Sequence, residues 1–116
     1  MEKARRKELL TEFRQSRPEA GVYRILNSGS GKALLASASN LQVVRNKLDF
    51  AQSTRSTSLL DRRLVKHAQA YGVEALSLEV LEVLQPTAEM TDAELGADLT
   101  ALEELWREKL DAATLY

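Results

Sequence analysis

Tyr23, Arg45 and Glu103 are three of the many polar side chains in this 116-residue sequence whose types could serve phosphate chemistry. Cleaving or transferring a phosphate requires charge neutralisation, an activated nucleophile and, where a metal takes part, a hard oxygen ligand. A tyrosine phenol can order a water, or take its proton if electropositive neighbours lower the phenol pKa. Its bland reading is a strand tyrosine packed on a small core. Arg45 follows Leu41 and precedes Leu48, at the edge of an apolar helical stripe, from which it can reach a phosphate or pair with Asp49 four residues on. Glu103 and Glu104 separate by geometry. The stripe Leu95, Leu99, Leu102 and Trp106 defines a buried direction; Glu103 falls beside it and Glu104 nearly opposite. Glu103 can therefore look into a site beside the core or pair with Arg107, whereas Glu104 belongs to solvent.

Other polar features are weaker. Gly29-Ser30-Gly31-Lys32 lacks the longer spacing of a phosphate loop and the Ser/Thr after its lysine, and reads as a hairpin turn. His67, the one histidine, lies among Arg63, Lys66 and Tyr71 and reads as a surface residue. Arg62, Arg63 and Lys66 form either a charged helix face or a contact for a nucleic-acid backbone. Trp106 is expected in the core.

Charge is distributed unevenly behind a formal net of −1. Residues 1–67 hold 14 of the 16 Lys/Arg and 6 of the 17 acids, a net of +8; residues 68–116 are correspondingly acidic, at −9. Either the basic part attracts phosphates or the two parts fold together and neutralise each other. The absence of cysteine excludes disulfides and thiolate metal sites. No apolar run approaches the roughly 20 residues of a membrane span, so no membrane partner is expected and a soluble cytoplasmic protein is the default.

Several elements must position these residues. Residues 3–15 read as a helix with Leu9, Leu10 and Phe13 on one side, ended by Pro18. Residues 21–26 read as a strand, 27–31 as a turn and 32–37 as a second strand, making a hairpin. Ser39 or Asn40 caps a helix to about residue 52. Ser58, with Asp61 three residues on, marks the start of a helix that ends at Tyr71 before Gly72. Leu76, Leu78 and Val80 alternate as a strand does, and Glu82 breaks the alternation, which allows a bulge or a helix. Thr91 and Glu94 open the last helix. The domain reading is an N-terminal helical extension over residues 1–18 and a mixed domain over 19–116.

The run Gly21-Val22-Tyr23, the turn, and the strand through Leu34-Leu35-Ala36 resemble the opening of the GIY-YIG nuclease family, with Arg45 on the following helix. The resemblance implies an α/β (α+β) fold: a small three-stranded antiparallel sheet packed with helices, here with the N-terminal helix added. It implies metal-dependent hydrolysis of nucleic acid, with DNA as the expected partner and Glu103 as the ligand of Mg²⁺ (Mn²⁺ as substitute). Arg45 would stabilise phosphate charge and Tyr23 would handle water.

This chain departs from the family pattern at several positions. Leu34 replaces a tyrosine, Ala36 a glycine, Asp49 a frequent histidine, and no asparagine follows the last helix. The spacing to Arg45 is also one residue longer than usual. The expectation is a divergent nuclease of low or lost activity using Tyr23, Arg45 and Glu103. The alternative is a module that binds nucleic acid or a protein without cutting.

Overall fold

The computed structural model describes residues 17–116. The helix expected over residues 3–15 lies outside them.

The sheet is built on its first strand. β1 (Ala20–Asn27) pairs antiparallel with β2 (Ala33–Ala38) on one side and β3 (Leu76–Leu84) on the other, giving the order β2-β1-β3. The hairpin register sets Tyr23 opposite Ala36 and Ile25 opposite Leu34. On the other side Val22 pairs with Glu82 and Tyr23 with Val80, so Leu81 is an extra residue, a bulge at the point where the alternation breaks. Gly21 lies next to this irregularity, and its lack of a side chain is required. A Cβ there would stand 2.1 Å from the Glu82 carbonyl oxygen.

Helix α1 (Leu41–Thr54) is capped by Asn40, whose side chain accepts from the Gln42 and Val43 amides. Its buried residues are Leu41, Leu48 and Ala51. Helix α2 (Arg62–Tyr71) is capped by Asp61, three residues after Ser58. Ser58 is instead held within the loop by Ser56, whose hydroxyl lies 2.9 Å from its own. Gly72 ends α2 at φ 86 and leads through a single 3₁₀ turn into β3. Helix α3 (Asp92–Lys109) begins with the Thr91 hydroxyl accepting from the Glu94 amide.

The two sheet faces have different covers. Strand alternation places Tyr23, Ile25, Leu34 and Ala36 on one face. They share a core with Leu41, Leu48 and Ala51 of α1 and Leu64 and Ala68 of α2. Ala20 is on the other face and packs against Leu95 and Leu99 of α3. Trp106 is half-buried rather than central to the core; its Nε1 donates to the Glu82 carboxylate at 3.0 Å. Among the described residues the result is a small α+β arrangement with three helices around a three-stranded antiparallel sheet. The last residues return to the sheet: Leu115 bridges Ala33 in parallel, and the Tyr116 ring stacks on His67 at 3.7 Å. His67 is therefore half-buried under a neighbour, not a free surface side chain.

Candidate functional site

Tyr23 is the centre of the candidate site. The middle strand carries it, and its ring is packed to 8 % exposure. Among the described residues its hydroxyl has no hydrogen-bond partner. Burial pushes the phenol pKa up, Asp61 and Glu103 push it in the same direction, and Arg63 opposes them. The phenol is thus held protonated. It can donate a hydrogen bond to a water or a phosphoryl oxygen, but the electropositive environment that would make it a base is not present.

The start of α2 supplies the charges beside this phenol. Asp61 accepts from the Arg63 amide at 2.9 Å as a helix cap. Both Asp61 carboxylate oxygens also accept from the guanidinium, from Nε at 3.0 Å and Nη2 at 2.9 Å. These bonds hold the Asp61 carboxyl below the usual range, despite some burial. Arg63 is held correspondingly strongly as a cation, by Asp61 first and also by Glu103 and Tyr23. Residues from β1, α2 and α3 therefore share one electrostatic neighbourhood.

Glu103 reaches this neighbourhood from α3. Its side chain is 27 % exposed, and one oxygen lies 3.4 Å from Arg107 Nη2, the expected pair one helical turn on. Glu104 is exposed, as its position on the helix requires. Among the described residues no three His, Cys, Asp or Glu side chains gather to cage an ion. An ion at Glu103 would be held by that one carboxylate together with water and substrate oxygens. This donor set fits Mg²⁺, which keeps much of its hydration shell.

Arg45 is not brought to Tyr23. It is exposed and lines a separate cleft with Pro18, Glu19, Asn40, Val80 and Val83, beside the β3 edge. Nor does it pair with Asp49. The cause is the helical phase of α1. Arg45 and Lys47 are separated by about 200° and so flank the buried stripe on opposite sides. Lys47 is the one that faces the Tyr23 side.

That side is a cleft of about 430 Å³. Tyr23, Ile25 and Leu48 form its floor, Val44 and Leu59 stand at its sides, and Lys47, Asp61 and Arg62 are its polar groups. Sequence reasoning named the Arg62–Arg63 cluster without tying it to Tyr23, and it missed Lys47 and the role of Asp61. Asp61 had a local signal, since aspartate before an amphipathic run is a good cap. Leu34 is 2 % exposed and belongs to the core. No family model, no characterised protein and no solved structure matches this chain.

Proposed function

We propose that this chain is a divergent GIY-YIG-type domain that binds nucleic acid, DNA first, and hydrolyses its phosphodiester bonds slowly with Mg²⁺. The observation that carries this reading is that the charges of Arg63 and Glu103, from two different helices, both act on the Tyr23 phenol of the central strand. The strand order and the hairpin at the Gly-Val-Tyr run are compatible with it.

In this reading Glu103 holds the ion. When bound, the ion would polarise a phosphoryl oxygen and acidify a coordinated water. Arg63 takes the charge-neutralising role that the resemblance assigned to Arg45, because Arg45 faces a different cleft. Tyr23 donates its O–H to the water or to phosphate and orients it, without accepting a proton. Leu34 has no group that moves protons and Asp49 does not line the Tyr23 cleft; proton transfer by a positioned side chain is typically worth about a hundred- to ten-thousand-fold in rate. Slow turnover follows.

A second reading, binding without cleavage, rests on the internal pairing of both charged groups, Arg63 with Asp61 and Glu103 with Arg107. One experiment separates the two. Labelled duplex and branched DNA are incubated with the protein, with and without Mg²⁺, and cleavage and binding are read at two salt concentrations. Mg²⁺-dependent cleavage lost in Glu103→Ala supports the nuclease. Salt-sensitive binding with no cleavage supports the binding module. No binding at low salt overturns both.

A further inference from the structure

We infer that the cleft beside Tyr23 takes one unstacked nucleotide of a single-stranded nucleic acid, its base over the apolar floor and its flanking phosphates at Lys47 and Arg62. This deepens the proposed function and rests on it for the class of ligand.

The cleft has the size and lining for such a unit. At about 430 Å³ it is within the range of small-ligand sites and far too small for a duplex. Tyr23, Ile25 and Leu48 make an apolar floor that is already packed from beneath, exposed at 8 %, 4 % and 5 %. It therefore does not need to rearrange to receive a flat ring. Leu59 stands at its side with 47 % of its surface exposed, an apolar wall without a cover among the described residues. Tyr23 is the one aromatic side chain of this floor, and base stacking on an aromatic ring tolerates any sequence.

The charges at the rim favour phosphate. Lys47 and Arg62 come from two elements, α1 and the start of α2, and neither makes an ion pair among the described residues. The single acid of the rim, Asp61, is already occupied by Arg63 through two hydrogen bonds. What remains is an apolar floor with two available cations. A strand offers the matching pattern, a flat base with a phosphate on either side. A duplex offers only its phosphates, because its bases are stacked inside. An acidic peptide would satisfy the cations and leave the floor unused.

The test is fluorescence anisotropy with the full chain and three labelled probes of equal length: a single-stranded oligodeoxyadenylate, the same sugar-phosphate strand without bases, and a duplex. The single strand is expected to bind about tenfold more tightly than the abasic strand. Leu59→Ala should narrow that difference. Lys47→Ala and Arg62→Ala should weaken both strands alike and flatten the salt dependence. All three positions are on the surface, so the variants keep their fold. Arg55→Ala, a cation paired with Glu74 away from the cleft, should change nothing.

Equal binding of the base-bearing and abasic strands overturns the inference, as does equal displacement by polyglutamate or by adenosine monophosphate at the strand's own concentration. Base-dependent binding without Mg²⁺ cleavage would leave the inference standing and remove the nuclease. Duplex cleavage with no response to Lys47→Ala or Leu59→Ala would do the reverse.

Discussion

Asp61 grips Arg63 with both carboxylate oxygens, at 3.0 and 2.9 Å, while also capping the helix on which Arg63 sits. One side chain therefore stabilises α2 and restrains a cation whose charge acts on the Tyr23 phenol. The two effects separate in Asp61→Ala. Loss of the cap should destabilise the fold by about 1 kcal/mol. The pair itself adds little, because both partners are largely exposed. Released from its partner, Arg63 should bind DNA phosphate more readily. Thermal denaturation should show a lower Tm and DNA titration a tighter, more salt-sensitive Kd. A weaker Kd in a folded variant would mean that Asp61 positions Arg63 for phosphate instead of withholding it.

The contrast between Asp61 and Arg45 shows how far local sequence reaches. Caps at Asn40 and Thr91 were readable because the bond is made within a few residues. Ser58 misled because two spellings of a cap stood three residues apart, and a loop contact with Ser56 decided between them. Leu81's bulge was half-legible, since a broken alternation allows a bulge or a helix and only pairing with β1 chooses. Arg45 and Lys47 were symmetric about the stripe of α1; which flank faces Tyr23 depends on where α2 packs. The His67–Tyr116 stack joins residues far apart in sequence, and no periodicity announces it.

Glu103 and Glu104 provide the sharpest test of metal-dependent cleavage. Glu103→Ala should reduce any Mg²⁺-dependent hydrolysis by at least about a hundredfold, the scale of losing one electrostatic group at a reacting phosphate. Glu104→Ala should leave it nearly unchanged, because that side chain is exposed. Neither substitution should change stability by more than about 0.5 kcal/mol, since the Glu103–Arg107 pair is a partly exposed contact one helical turn apart. Cleavage of equal rate in both variants and the wild type would place the activity elsewhere.

Two glycines should respond in opposite directions to alanine. Gly21→Ala would force a methyl to 2.1 Å from the Glu82 carbonyl oxygen, which is backbone and cannot swing away. The loss should be at least about 2 kcal/mol, at the upper end for overpacking. Gly96 lies within α3, and a Cβ there meets nothing within 4 Å. Gly96→Ala should stabilise by about 0.5–1 kcal/mol through helix propensity. Urea denaturation of both variants checks the pair. A neutral Gly21→Ala would show that β3 can slide at the bulge, and the close strand approach would not be what demands glycine.

Tyr23 couples the site to pH. Its phenol pKa is raised in the folded state, chiefly by burial and then by the Asp61 charge. The folded protein therefore holds this proton at pH values where the unfolded chain has released it. Its contribution is fully present below about pH 10, the ordinary phenol value, and is lost as pH rises through the folded pKa. Stability should accordingly fall more steeply above pH 10 in the wild type than in Tyr23→Phe, which keeps the packed ring and removes the titrating group. Difference absorbance of phenolate between the two proteins should show a late-ionising tyrosine missing from the variant. The same substitution bears on catalysis at neutral pH, where Tyr23 is only a donor. Tyr23→Phe should slow hydrolysis without moving the pH profile of whatever activity remains. A profile whose basic limb shifts in Tyr23→Phe would assign the phenol as the proton acceptor after all, with a bound cation reversing the effect of burial.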